Sequence, residues 1–293
     1  MYKKILKIGW ALLWLGNGAN FQLGAIDWPT QTGELVRDFG SNDGGTASVG
    51  ETFVGTGPVH AAGGGELVFK QDSSTLANRL PSPLGAWVAV DQGDGIVGIY
   101  GRMENPRDFQ TPIQMEKGTI LGTMGKTGWT GATGFYFSLY DRGERQWINP
   151  ALVLTPNPNE RPPMVRGLYL VTPEGTKINA AQTKQIRQGA YRLLVDFGES
   201  RGAAKTYALI PLRTQWYING VAQGLLLLET LETKNGQRMV TENQKKAVDQ
   251  VYQDDQTIDM GTGLFNRGKA TLEISIRDKA GNERNTTYQL TVE

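Results

Sequence analysis

The chain has 293 residues, with 30 lysines and arginines, 29 aspartates and glutamates, one histidine and no cysteine. This length allows two domains of common size, each with its own core. The formal net charge of +1 gives no electrostatic basis for binding nucleic acid, which requires clustered positive charge. The lack of thiols and of a second histidine excludes a Cys-rich or multi-His zinc site, a cysteine nucleophile, a disulfide and an iron–sulfur cluster.

Residues 1–25 have the pattern of a secretory signal peptide. Lysines at positions 3, 4 and 7 precede an apolar stretch over residues 8–15, and small residues follow up to Ala25. The apolar stretch is far shorter than the roughly 20 residues that a membrane-spanning helix needs. A short buried N-terminal helix is the alternative. We expect a periplasmic or secreted protein of a bacterial envelope, without stable membrane insertion once the signal is removed.

Residues 26–154 are predicted to form a first domain that consists of β-strands. Glycine and proline interrupt a series of short apolar runs, which is typical of short strands joined by tight turns. The predicted strands are Val59–Ala62, Leu67–Phe69, Trp87–Val90, Ile96–Tyr100, Thr119–Leu121 and Phe135–Tyr140. Residues 155–163 contain four prolines and predict a stiff, extended linker.

Residues 164–293 are predicted to form a second all-β domain, an immunoglobulin-like β-sandwich. Polar and apolar residues alternate in Thr271–Arg277 and in Thr287–Val292, as in strands with one buried face. Asn219-Gly220 predicts a two-residue hairpin turn. The turn Asp278–Asn282 resembles the last hairpin of bacterial immunoglobulin-like domains. Further predicted strands are Gly167–Val171, Ala190–Phe197, Lys205–Leu212, Gln215–Ile218 and Leu225–Leu228.

Five segments of the first domain carry a family resemblance in their order and spacing. They are Phe39-Gly40, the Gly-Pro-Val-His-Ala-Ala-Gly-Gly-Gly stretch over Gly57–Gly65, the glycine-spaced Lys117–Gly128, Ala132–Leu139, and Ile148-Asn149-Pro150. Together they resemble the lysostaphin/LytM-type zinc endopeptidases (duplicated hybrid motif family), which cleave peptidoglycan cross-links. The resemblance implies an antiparallel LytM-like β domain with a groove for an extended peptide.

The catalytic positions that the resemblance implies carry other residues in this chain. The family holds zinc with a His-x-x-x-Asp pair and the second His of His-x-His, and two further histidines assist the proton transfers. The matching positions here are Thr46 and Gly50 (or Ala47 and Glu51, one residue later), Arg102, Tyr136 and Ser138. Hydroxyl groups are poor zinc ligands at neutral pH, and Arg102 adds a permanent positive charge. We therefore expect no metal, no cofactor and no catalysis.

A groove without its metal can still bind a ligand. Arg102, Tyr136 and Trp129 are predicted to line or flank it, although Arg102 could instead pair with Glu104 or Asp141, and Tyr136 could be ordinary packing. The main hypothesis is a non-catalytic cell-wall protein that binds peptidoglycan or activates a wall hydrolase. The alternatives are a divergent metalloendopeptidase that uses Glu51 and His60, and a surface adhesin or scaffold that acts through its C-terminal domain.

Overall fold

The computed structural model describes residues 26–42, 44–72, 82–104, 106–107, 113–155, 164–198, 210–235, 237–242, 246–247, 250–254 and 257–293. The predicted signal peptide, the predicted linker beyond Thr155 and most of the predicted strand 205–212 lie outside these residues. We refer to residues 26–155 as the N-terminal region and to residues 164–293 as the C-terminal region. No helix within the described ranges is long and apolar enough to span a membrane.

Both regions consist of β-strands, which confirms the predicted all-β class. The N-terminal strands are β1 (Glu34–Arg37), β2 (Glu51–Val54), β3 (Pro58–His60), β4 (Gly65–Gln71), β5 (Ala86–Asp91), β6 (Ile96–Met103), β7 (Gln114–Met115), β8 (Ile120–Thr123), β9 (Gly134–Asp141) and β10 (Gln146–Ile148). The C-terminal strands are β11 (Met164–Val171), β12 (Lys177–Asn179), β13 (Gln185–Ile186), β14 (Gly189–Gly198), β15 (Arg213–Ile218), β16 (Val221–Lys234), β17 (Gln237–Glu242), β18 (Lys246–Ala247), β19 (Thr257–Phe265), β20 (Gly268–Arg277) and β21 (Glu283–Val292).

The N-terminal region is built on an antiparallel sheet in the order β2, β9, β6, β5, β4 and β7. Alternation along β9 directs Phe135, Phe137 and Leu139 into the core, so Tyr136 and Ser138 face the opposite side of the sheet. The short strands β3 and β8 form a separate pair. This arrangement fixes which side chains share a face with the family's His-x-His position.

The C-terminal region encloses its core between two sheets. One sheet has the order β12, β11, β14 and β19, and the facing strands are β13, β21, β20, β15 and β16. Trp216 is fully buried between them, and its indole N–H donates to the Met260 carbonyl at 2.9 Å. Asn219 and Gly220 have φ values of 51° and 76° at the β15–β16 turn, as the hairpin signal requires. The immunoglobulin-like type of this sandwich stays a prediction.

The two regions are joined by hydrogen-bonded strands and by shared packing. β10 pairs with β9 on one side and with β16 on the other, which joins 15 strands of the described residues in one sheet. Phe39, Ala47 and Val49 belong to the hydrophobic core of the C-terminal region. Residues 38–50, which we call the 38–50 loop, therefore leave the N-terminal region and pack into the other core. The sequence did not indicate that this loop packs into the core of the C-terminal region.

Candidate functional site

Three neighbouring strands bring the predicted catalytic positions together. β9 lies between β2 and β6, and Tyr136 is directly opposite Thr52 on one side and Gly101 on the other. Gly50 comes immediately before β2, and Arg102 follows Gly101 on β6. The strands thus bring together four of the predicted positions, namely Gly50, Arg102, Tyr136 and Ser138. The space between these side chains depends on how closely the backbone at Gly50 approaches β9.

Gly50 lies closer to β9 than any residue with a side chain could. A Cβ atom at this position would be 2.3 Å from the Phe137 carbonyl oxygen, 2.6 Å from the Tyr136 hydroxyl and 2.7 Å from the Ser138 Cβ. The first of these partners is backbone, so the strand itself would have to move. The space that a ligand side chain at position 50 would need is therefore filled by β9 and by Tyr136.

Tyr136 and Ser138 are buried at the site, with 9% and 0% of their surface exposed. The Arg102 guanidinium carbon lies 5.5 Å from the centre of the Tyr136 ring, within the range of a cation–π contact. The Ser138 hydroxyl makes no hydrogen bond to any residue in the described ranges. The His-x-His positions of the family thus hold an aromatic ring under a cation and a buried hydroxyl.

The backbone at Arg102 is held in an uncommon conformation. Its φ of 65° is in the left-handed region, which few residues other than glycine adopt. The Arg102 N–H donates to the Leu84 carbonyl at 2.6 Å, and its carbonyl accepts from the Gly125 N–H at 3.1 Å. The Nη1 atom donates to Thr52 Oγ1 at 3.4 Å. These contacts fix a half-buried guanidinium beside Tyr136, and such conformations are concentrated at functional sites.

Trp129 extends from an anchored turn and is 67% exposed. Its backbone N–H donates to the Pro83 carbonyl at 3.1 Å. Two residues earlier, Thr127 Oγ1 accepts from the Ala86 N–H at 2.9 Å and donates to the Met103 carbonyl at 2.7 Å. Thr46 is half-buried in the 38–50 loop. The turn that contains Thr127 and Trp129 thus exposes a large aromatic side chain to solvent, and hydrogen bonds hold the turn in place.

Glu51 is directed away from this site. Along β2, Phe53 packs into the core and Glu51 is two residues earlier, so both lie on the face opposite to Thr52. The Glu51 side chain is fully buried, and its Oε1 is 3.4 Å from Nζ of Lys279 in the C-terminal region. Ala47, the other member of the shifted ligand pair, is buried in the C-terminal core. Neither residue faces Arg102, Tyr136 and Ser138.

Lys279 also contacts a second buried carboxyl group, Asp38, and we call these three side chains the Lys279 cluster. Asp38 Oδ2 is 3.5 Å from Nζ and accepts a hydrogen bond from the Ile210 N–H at 3.2 Å. Burial raises the pKa of both Asp38 and Glu51, and the nearby ammonium group partly opposes this rise. The cluster places two carboxyl groups and one ammonium group at the junction of the two regions.

The side chains at these positions do not fit a zinc ion. Within the described residues, no group of three or more His, Asp or Glu side chains could hold a metal. Zinc sites need three or four imidazole, thiolate or carboxylate ligands. The converging positions supply instead a glycine, a serine hydroxyl, a tyrosine ring and the fixed positive charge of Arg102, which repels a cation.

Comparison with family models gives a match for each region. Residues 48–150 match the model described as Peptidase family M23. A second family model, which carries no description, matches residues 162–293. No curated protein matches the chain.

Several solved structures are similar to part of the chain. A mutant catalytic domain of the prophage-encoded M23 protein EnpA from Enterococcus faecalis is 25% identical, with 43% of this chain and 96% of that chain covered and a TM-score of 0.36. SpoIIQ, from the structure of its complex with SpoIIIAH, is 18% identical, with 43% and 96% covered and a TM-score of 0.35. The catalytic domain of lysostaphin from Staphylococcus simulans is 19% identical, with 38% and 80% covered and a TM-score of 0.30.

Proposed function

Because residues 48–150 form an M23-type peptidase domain, we propose that this protein is a non-catalytic, cell-wall-associated protein. It binds peptidoglycan or activates a wall hydrolase through its degenerate M23 groove. The observation that carries the proposal is the approach of Gly50 to β9, which leaves 2.3 Å between a Cβ at this position and the Phe137 carbonyl. No ligand side chain has room at this position, which supports a peptidase architecture that does not hold the metal.

Two side chains of the N-terminal region suit the binding of a wall peptide. Arg102 is half-buried and held by the backbone, and a guanidinium forms strong, directional hydrogen bonds with carboxylates, which stem peptides carry. Trp129 offers an exposed aromatic face that can pack against apolar and ring-shaped groups. The predicted signal peptide at residues 1–25 supports action in the periplasm or outside the cell. We keep the division into domains of residues 26–154 and 164–293 as part of this proposal.

Binding to purified peptidoglycan sacculi, measured by co-sedimentation, tests the proposal. Trp129→Ala and Arg102→Gln are each expected to weaken binding by about ten-fold or more, as hot-spot residues do. Leu264→Ala and Arg187→Gln are the matched controls, because both residues are exposed in the C-terminal region; they should bind like the wild type. Wild-type protein that neither binds sacculi nor stimulates a wall hydrolase would refute the proposal.

Metal binding, peptide cleavage and the same variants separate the two alternatives. A metalloendopeptidase would bind added Zn²⁺ in equilibrium dialysis and cleave cross-linked peptides, whereas we expect neither from this site. An adhesin that acts through the C-terminal region would keep its binding in both Trp129→Ala and Arg102→Gln. Deletion of the C-terminal region is not a usable test, because Phe39, Ala47 and Val49 pack into its core.

A further inference from the structure

We propose that Lys279 is an electrostatic latch by which the C-terminal region holds the 38–50 loop in place and so controls the shape of the loop at Gly50. The latch itself is a property of the fold, and only its meaning as regulation of the groove rests on the proposed function. The loop corresponds to the segment that carries the first metal-ligand pair in the LytM-type peptidases that the N-terminal region resembles. In this chain it is docked to a second domain instead.

The charges of the Lys279 cluster make the loop depend on this one ammonium group. Asp38 and Glu51 are fully buried, and the Lys279 side chain is 6% exposed. Within the described residues, Asp38 Oδ1 and Glu51 Oε2 accept no hydrogen bond. A buried carboxylate without a partner is strongly unfavourable. Lys279 offsets the negative charge of these groups, so we expect the docked loop to be less stable at neutral pH without it.

The hairpin that carries Lys279 is rigid. β20 and β21 are paired over ten residue pairs, and the turn between them is closed by Asp278. The two carboxylate oxygens of Asp278 accept from the Asn282 N–H at 2.7 Å and from Asn282 Nδ2 at 2.8 Å. The turn that carries the ammonium group is thus held by contacts within the C-terminal region.

The loop behaves as one unit between the latch and the groove. The Gly40 N–H donates to the Ser48 carbonyl at 2.8 Å, and the Ser48 N–H donates to the Ser41 carbonyl at 2.7 Å. Asp38 is at one end of this unit, and Gly50, at the other end, touches β9 beside Tyr136 and precedes Glu51. Movement of the latched carboxyl groups would therefore move Gly50 against Tyr136.

Other groups of the C-terminal region also contact the loop, and they define its docked position. The Tyr252 hydroxyl donates to the Gly40 carbonyl, and Arg238 Nη1 donates to the Ala47 carbonyl. A Cβ at position 40 would lie 2.9 Å from a methyl group of Leu228. These contacts position the loop, whereas Lys279 offsets the negative charge of Asp38 and Glu51.

Amide hydrogen exchange of the whole chain at neutral pH tests the latch by comparing Lys279→Met with Lys269→Met. Lys269 is an exposed lysine on the same hairpin and is the matched control. We expect peptides that cover residues 38–50 to exchange at least about ten-fold faster in Lys279→Met, as for a local opening. Exchange should accelerate more in residues 38–50 than in peptides from β6 and β14, and Lys269→Met should leave all rates unchanged.

Wild-type exchange of residues 38–50 in a folded Lys279→Met variant would overturn the latch. If Lys279→Met does not fold, the triple variant Lys279→Met/Asp38→Asn/Glu51→Gln decides, because it removes the buried charges. A folded triple variant would support neutralisation as the role of Lys279, and a triple variant that stays unfolded would overturn it. Exchange rates involve no wall ligand, so this outcome is independent of the sacculus-binding test.

Discussion

The Lys279→Met substitution should destabilise the protein by an amount that increases with pH. Methionine has about the length of the lysine stem, so the substitution removes the ammonium group with little change in packing. Asp38 and Glu51 then remain buried without the cation that offsets their charge. The size of the effect follows from the two distances and from the ability of the carboxyl groups to take up protons.

The Lys279 contacts are close enough for a large effect. Lys279 Nζ is 3.4 Å from Glu51 Oε1 and 3.5 Å from Asp38 Oδ2. Two opposite unit charges at such a distance attract each other by about 5 kcal/mol at an effective dielectric constant of about 20. The cost of burying the three groups reduces this gain, and removal of one partner from a buried ion pair usually costs about 3–5 kcal/mol. We expect a loss of unfolding free energy in this range at about pH 8.

The loss should be smaller in acid. Without Lys279 the pKa values of Asp38 and Glu51 rise further, because the ammonium group lowers both. The folded variant then binds protons more tightly than the folded wild type, so its deficit grows with pH, by at most about 1.4 kcal/mol per pH unit for each proton. In acid the two carboxyl groups of the variant are increasingly protonated, so we expect its deficit to be smaller there than at about pH 8.

Urea denaturation of Lys279→Met, Lys269→Met and wild type at several pH values measures these differences through the midpoint at constant m-value. Lys269→Met, at the exposed position, should change the unfolding free energy by less than about 0.5 kcal/mol. A deficit of Lys279→Met that is the same at low and high pH would refute the electrostatic reasoning, because a packing defect does not depend on protonation.

Three further predictions concern the same elements. Burial raises the pKa of Glu51, so the folded state binds this proton more tightly than the unfolded state and stability falls as pH rises above about 4; Glu51→Gln should flatten this fall in urea titrations. Gly50→Ala should cost about 3 kcal/mol or more because its Cβ would meet the Phe137 carbonyl, whereas Gly131→Ala, in open space, should leave the thermal midpoint unchanged. Trp129→Ala should change the unfolding free energy by less than about 0.5 kcal/mol while sacculus binding weakens.

The strands and the convergence of the site could be predicted because both depend on local sequence. A short apolar run identified Phe135–Tyr140, and alternation of polar and apolar residues identified Thr271–Arg277; these segments lie within β9 and β20. Motif spacing identified Arg102, Tyr136 and Ser138, and the pairing of β6 with β9 brings them together. The period of the strand places Tyr136 and Ser138 on one face, whereas Arg102 lies next to Tyr136 at a position where a φ of 65° interrupts the alternation of β6.

The contacts between the regions could not be predicted, because they depend on tertiary packing. Lys279 appeared in the sequence only as a turn residue, and its partner Glu51 is 228 positions away. Phe39 and Val49 are apolar residues that could pack into either core, and the neighbouring sequence does not indicate which core they join. The close approach of Gly50 to β9 is likewise a distance between backbones, which residue type alone does not specify.

The three-residue strand β10 protects two sheet edges at once. It lies between β9 and β16, so separating the two regions would leave a row of unpaired N–H and C=O groups on each of them. Exposed edges of this kind pair readily with other chains. Each region produced alone is therefore expected to aggregate or to add a strand from a second molecule. Because each region covers an edge of the other, we expect the two regions to fold reliably only when they are made together.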